Sequence, residues 1–105
     1  MVVHNLASSP FGSKTRSQVL FALSLMDESY PRELARVLEA PLFSIQKALA
    51  SLEHDGLLAS RILGRTRLYT LNPRYIASRE LREYLGRLAG RDFELKRKVS
   101  TVRRI

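Results

Sequence analysis

Three arginines, Arg61, Arg65 and Arg67, lie close together in a segment with no acidic residue between Ala59 and Ile76. The guanidinium group of arginine matches phosphate oxygens and is favoured in the narrow grooves of nucleic acids. The cluster therefore predicts contact with the backbone or the minor groove of a nucleic acid. The alternative is an exposed hairpin on which the same charges only improve solubility.

The charge is divided unevenly along the chain. In 105 residues, 18 lysines and arginines oppose 10 acidic residues, for a formal net charge of +8. Residues 1–58 hold five basic and six acidic groups, whereas residues 59–105 hold thirteen basic and four acidic groups. Excess positive charge of this kind predicts a polyanion as the partner. The 45% content of hydrophobic residues is enough for the core of one folded domain.

A second group of candidate residues falls in a predicted helix over 42–54. Its inward-facing stripe is formed by Ile45, Leu49 and Leu52. The positions left outside are Leu42, Phe43, Gln46, Lys47 and Ala50. Gln46 can pair with adenine and Lys47 can reach guanine or a phosphate, while Ser44 lies near the helix N-terminus, which favours a phosphate. The alternative is that Gln46 and Lys47 are ordinary solvated residues.

Several other kinds of chemistry find no support. The chain has no cysteine, which excludes disulfides, thiolate metal sites and a cysteine nucleophile. Its two histidines, His4 and His54, are too few and too far apart for a metal cluster. The Gly12-Ser13-Lys14-Thr15 segment lacks the glycine and lysine order of a phosphate loop. We expect neither an enzyme nor a bound metal or cofactor.

No apolar run approaches the length of about 20 residues that a membrane span needs, and the N-terminus lacks the layout of a signal peptide. We therefore expect a cytoplasmic protein with no membrane partner.

The candidate residues are carried by a predicted series of helices and strands. These elements are a helix over 14–27 capped by Ser13, a helix over 31–38 beginning at Pro31, the helix over 42–54 ending before Gly56, strands over 57–63 and 66–71 joined by Gly64-Arg65, and a helix over 78–90 capped by Ser78. The fold class is mainly α with a small β-hairpin.

Two apolar patterns predict further packing. The helix over 14–27 is apolar nearly all round, so its second face must meet a terminal helix or a second copy of the chain. The stripe of Leu81, Leu85 and Leu88 also needs a partner surface, and together these patterns predict a homodimer. Residues 91–105 are interpreted either as a short coiled-coil extension of that stripe or as a frayed basic tail.

The segment PRELARVLEAPLFSIQKALASLEHDGLLASRILGRTRLYTLNP resembles the core of the ArsR/MarR-like winged helix-turn-helix regulators. Within it, RELARVL is similar to the second helix of that family. The stretch IQKALASLEHDGLL is similar to its recognition helix and to the connection that leads into the β-hairpin, or wing. The resemblance covers about residues 13–88. It implies a three-helix core with a wing and a C-terminal helix, and a protein that regulates transcription by binding DNA.

Two departures from the family pattern keep another function open. Pro41 stands where the family has a small hydroxyl residue as N-cap, and Leu42 and Phe43 are apolar where polar groups commonly face DNA. They can contact thymine methyl groups or pack against a protein. The main alternative is therefore a winged-helix module that binds an acidic protein partner. The hypothesis that the chain binds RNA or single-stranded nucleic acid has less support. Such binding uses exposed aromatic side chains, whereas Tyr69 and Tyr75 are predicted core residues.

The sequence thus predicts a flexible arm at 1–10, a winged helix-turn-helix domain at 11–77, a dimerisation helix at 78–90 and a basic tail or helix extension at 91–105. The expected function is sequence-specific binding of double-stranded DNA by a homodimeric transcriptional repressor. The DNA-contacting residues would be Phe43, Ser44, Gln46, Lys47, Arg61, Arg65 and Arg67. The sequence does not identify an effector.

Overall fold

The computed structural model describes residues 11–103, which form a mainly helical fold with a small three-stranded antiparallel sheet. The elements are α1 (Lys14–Met26), β1 (Glu28–Ser29), α2 (Pro31–Leu38), α3 (Leu42–His54), β2 (Leu58–Leu63), β3 (Thr66–Leu71), α4 (Ser78–Gly90) and α5 (Phe93–Arg103). The predicted arm at 1–10 lies outside the described residues.

Three predicted helix boundaries are confirmed. The Ser13 hydroxyl accepts a hydrogen bond of 3.1 Å from the backbone N–H of Arg16 and so caps α1. Pro31 is the first residue of α2, where a missing N–H costs no hydrogen bond. Gly56 follows α3 with a φ of 86°, a left-handed conformation that glycine adopts without steric cost.

The predicted cap of α4 is wrong. Ser78 is the first residue of the helix, Ala77 occupies the N-cap position, and the Ser78 hydroxyl donates to the carbonyl of Pro73 at 3.2 Å. A side-chain cap does precede α5, where the carboxylate of Asp92 accepts from the N–H of Leu95 at 3.0 Å.

The sheet has the strand order β1-β3-β2. Strands β2 and β3 form the predicted hairpin, with Leu63 paired to Thr66 beside the turn. Gly64 has a φ of 65° and Arg65 does not share this conformation, the pattern of a type II′ turn. Strand β1 was not predicted from sequence, because a two-residue strand has no periodicity to recognise.

Helix α1 forms the centre of the core, and both of its apolar faces are covered within the chain. Val19, Leu20 and Leu23 have no exposed surface. Helices α2 and α3 pack on α1, and so do α4 and α5. Of the two predicted coverings for the second face, the described residues supply the terminal helices.

Residues 93–103 are neither a frayed tail nor a continuation of a coiled coil. The chain turns after α4, and α5 returns to pack against α1 and α2. Leu95 and Val99 are buried in the same core as Leu85, whose side chain has no exposed surface. The apolar patterns that predicted a dimer are therefore accounted for inside one chain, and the dimer stays a prediction without that support.

A partly buried ion pair joins α5 to α2. The guanidinium of Arg103 donates to both carboxylate oxygens of Glu33, at 3.1 and 2.9 Å, and also to the carbonyl of Met26 at 3.0 Å. The hydroxyl of Ser29 donates to the same carboxylate at 2.6 Å. Burial raises the pKa of Glu33, but these hydrogen bonds and the charge of Arg103 outweigh it, so the net pKa is lowered.

We expect Arg103→Met to destabilise the fold by about 2 to 4 kcal/mol at pH 7, because it leaves the Glu33 carboxylate buried without its partner. Urea unfolding followed by circular dichroism measures this loss. Since the folded-state pKa of Glu33 lies below its ordinary 4.5, the pair stabilises the fold above that pH. The contribution of the pair falls as acid protonates the carboxylate. The difference in unfolding free energy between wild type and variant should therefore narrow below about pH 4.5.

Arg97→Met is the matched control, since Arg97 lies on the same helix and, within residues 11–103, its ion pair is with the exposed Glu94. We expect it to change the free energy of unfolding far less than Arg103→Met does, because water screens an exposed ion pair. Equal losses in the two variants would contradict the structural role given to the Glu33–Arg103 pair.

Candidate nucleic-acid interface

Helix α3 has one face in the core and one in solvent. Ile45, Leu49 and Leu52 have no exposed surface, as their spacing predicted. The exposed side chains on the opposite face are Phe43, Gln46, Lys47 and Ala50. Leu42 and Ser44, in the first turn, are half-buried. The predicted outward direction of Gln46 and Lys47 is therefore confirmed.

The N-terminus of α3 has no side-chain cap. Pro41 occupies the N-cap position with extended backbone and offers no side-chain acceptor. Among the residues that the structure describes, no side chain accepts from the N–H groups of this first turn, which form the positive end of the helix dipole. Ser44 lies in this turn, in the position from which the sequence predicted a phosphate contact.

Strand pairing divides the hairpin side chains between two faces of the sheet. Residues opposite each other in an antiparallel pair share a face, and the face alternates along each strand. Arg67 pairs with Ile62 and Tyr69 with Ser60, so these four lie on one face. Arg61 pairs with Leu68 and lies on the other face. The predicted strip of three arginines is thus split, with Arg65 between them in the turn.

A short hydrogen-bonded chain joins α3 to the face of the hairpin that carries Arg67. The hydroxyl of Ser60 donates to the carboxylate of Glu53 at 2.6 Å and accepts from the guanidinium of Arg67 at 2.9 Å. Glu53 follows Gln46 and Ala50 at helical spacing, so the exposed face of α3 runs towards this contact. The outer surface of the helix and one face of the hairpin are therefore adjacent.

Arg61 pairs with a carboxylate outside both α3 and the hairpin. Its guanidinium lies 3.2 Å from the carboxylate of Glu28, which belongs to the edge strand β1. Glu28 pairs with Thr70 and lies on the same sheet face as Arg61. The geometry therefore separates Arg61 from Gln46, Lys47 and Arg67, so the three arginines of the predicted cluster do not share one sheet face; the nucleic-acid contact stays a prediction.

Arg16 is likewise used inside the fold. Its guanidinium lies 2.9 Å from the carboxylate of Asp55 and also donates to the Ser51 hydroxyl and the Phe11 carbonyl. These contacts join the start of α1 to the end of α3.

The tyrosines predicted for the core are at least partly covered. Tyr69 is buried and Tyr75 is half-buried. The pKa of Tyr69 is raised, first by burial and then by the negative charge of Glu53, against a smaller opposing effect of Arg67. The Glu53 carboxylate therefore acts on the same sheet face that carries Arg67.

Of the two histidines, only His54 belongs to the part of the chain that the structure describes. His54 is exposed at the end of α3, and His4 lies outside the described residues. Within residues 11–103, no group of three or more His, Asp or Glu side chains is arranged to hold a metal ion. None of the helices in that part of the chain combines the length and the apolar composition that a bilayer crossing requires.

No protein-family model, no curated protein and no solved structure matches the chain. The resemblance to ArsR/MarR-like regulators is therefore not shown by these comparisons and stays a prediction. The function has to be inferred from the arrangement of the side chains.

We expect Glu53→Gln to lower the pKa of Tyr69 part of the way towards its ordinary 10.0, because the variant removes the nearby negative charge and leaves the burial. Nuclear magnetic resonance of ¹³C-labelled tyrosine rings, with Tyr69→Phe to assign the signal, measures the change. Glu80→Gln, on the exposed surface of α4, is the control and should leave the pKa of Tyr69 unchanged. An unaltered pKa in Glu53→Gln would contradict the contact between α3 and the hairpin.

Proposed function

We propose that this chain is a winged helix-turn-helix protein that binds double-stranded DNA and regulates transcription. The element order supports the assignment: three helices, α1 to α3, are followed by the β2–β3 hairpin and a C-terminal helix. In this arrangement α3 is the recognition helix and the hairpin is the wing. The short strand β1 extends the wing to a three-stranded sheet.

The observation that carries the proposal is the adjacency of the exposed α3 face and the Arg67 face of the hairpin. An α-helix with side chains is about 10–12 Å wide and fits the major groove of B-DNA, which is about 12 Å wide. A hairpin fastened beside it by the Glu53–Ser60–Arg67 contacts reaches the flanking backbone or minor groove. One continuous surface can then engage two neighbouring parts of a duplex.

The candidate residues take different roles on this surface. Gln46 reads a base edge, and Lys47 reaches a guanine or a phosphate. Arg65, exposed in the turn, and Arg67 contact the backbone or the minor groove. Ser44 lies at the uncapped end of α3, where a phosphate is favoured. Arg61 is left out, because it lies on the other sheet face and pairs with Glu28.

We propose repression as the regulatory outcome, since a protein seated on an operator can block transcription by its presence alone. A homodimer on a palindromic site would place two α3 helices about 34 Å apart. The dimer stays a prediction, and the spacing of half-sites selected from a random duplex pool tests it. Selected sites without two-fold symmetry would instead favour one copy per site.

The second candidate function is a winged-helix module that binds an acidic protein. Phe43, on α3, supports it, because 74% of this residue is exposed and an apolar ring in solvent favours a protein contact. The two functions differ in their response to random duplex DNA. Fluorescence anisotropy at low and at moderate salt should detect binding for the DNA-binding protein, and no binding at either salt concentration would favour the protein module.

We expect Arg67→Ala to weaken binding to any duplex by about tenfold at low salt, because it removes a charge-assisted phosphate contact. The slope of log affinity against log salt concentration should also decrease in magnitude by about one. Titration of labelled duplex over a range of salt concentrations measures both effects.

Arg61→Ala is the matched control, since it removes the same charge from the same hairpin but on the opposite sheet face. We expect its affinity and salt dependence to stay close to those of the wild type. If both variants lose affinity equally, net charge rather than the proposed surface determines binding. Circular dichroism should confirm that each variant is folded.

A further inference from the structure

We propose that the exposed face of α3 selects A·T base pairs, with Phe43 against the methyl group of thymine and Gln46 paired to adenine. This inference rests on the proposed function, and it adds the class of DNA site that the protein prefers.

Phe43 is exposed on the same face as the candidate DNA-contacting residues. Its exposed fraction is 74%, whereas Ile45, two positions further along, is fully buried. Phe43 precedes Gln46 and Lys47 by three and four positions, which places all three on one side of the helix. The ring is therefore available to whatever partner this face contacts.

The chemistry of this face matches an A·T pair in the major groove. There, thymine presents a C5 methyl group, and adenine presents the N6 donor beside the N7 acceptor. The amide of Gln46 has one acceptor and one donor group and can satisfy both adenine positions. Phe43 and Ala50 offer apolar surface to methyl groups. Helix α3 contains no arginine, the residue that most often reads guanine.

The spacing of these residues suits neighbouring base pairs. A helix rises about 1.5 Å per residue, so Phe43 and Gln46 are about 4.5 Å apart along the axis. Stacked bases of one strand are about 3.4 Å apart. The two side chains therefore reach bases one or two steps apart, and the preferred site contains a thymine close to the adenine that Gln46 contacts.

The charge around Phe43 favours DNA over a protein with an apolar patch. Lys47 lies on the same helix face, and Arg65 and Arg67 lie on the adjoining hairpin, all three exposed. A positive surface with one apolar ring complements a polyanion that carries methyl groups in its groove.

Each predicted base contact can be tested by removing one chemical group from the DNA. A duplex selected from a random pool is synthesised with deoxyuridine in place of each thymidine in turn, which removes only the methyl group. We expect wild-type protein to bind one such duplex about fourfold more weakly than the parent. Phe43→Ala should bind the parent duplex and that deoxyuridine duplex with equal affinity. Phe93→Ala, which alters a phenylalanine with a similar exposed fraction (78%) on α5, should behave like the wild type.

The adenine contact is tested in the same way with 7-deazaadenine, which lacks the N7 acceptor. We expect the substitution at one position to weaken wild-type binding by about fivefold to tenfold. Gln46→Ala should bind the parent duplex more weakly and should lose nothing further on the substituted one.

Three results would overturn the inference while leaving DNA binding intact. These are selected sites made of G·C pairs, unchanged wild-type affinity for every deoxyuridine duplex, or an equal loss from deoxyuridine in wild type and Phe43→Ala. Absence of binding to any duplex would overturn the proposed function together with this inference. Circular dichroism of Phe43→Ala verifies that the variant is folded.

Discussion

The fold depends on the burial of α1, which is apolar on more than one side. Val19, Leu20 and Leu23 must all be removed from water, and a helix can achieve this only if other elements surround it. Helices α2 and α3 cover one part of its surface, and α4 and α5 cover another. Because α3 uses one face for this purpose, its opposite face is left in solvent. The candidate interface is thus a direct consequence of how the core is closed.

The second constraint is the partly buried contact between Arg103 and Glu33, which joins the end of α5 to the start of α2. The same guanidinium donates to the carbonyl groups of Met26 and Glu28, on either side of the turn into β1. Strand β1 pairs with β3, and the side chain of Glu28 then holds Arg61. The contacts of Arg103 at the end of α5 therefore reach the strand whose Glu28 side chain pairs with Arg61.

The two faces of the hairpin consequently differ in function under the proposal. One carries the exposed Arg61–Glu28 pair. The other carries Arg67 and adjoins α3 through Ser60 and Glu53. The carboxylate of Glu53 limits the positive charge at this point, but it also holds Arg67 in place through the Ser60 hydroxyl. The Glu53 and Ser60 contacts thus position Arg67 beside α3 while reducing the local positive charge, which suits the DNA contact that we propose for Arg67.

The sequence alone determined helices α1 to α4, the hairpin and the outward direction of Gln46 and Lys47. Those features follow from local rules: helical spacing, capping by Ser13, the position of Pro31 and the conformations of Gly56 and Gly64. The return of α5, the short strand β1 and the separation of Arg61 from Arg67 were decided only by the tertiary structure. Each depends on contacts between residues far apart in the chain, such as Arg103 with Glu33 and Arg61 with Glu28, and local spacing contains no information about such partners.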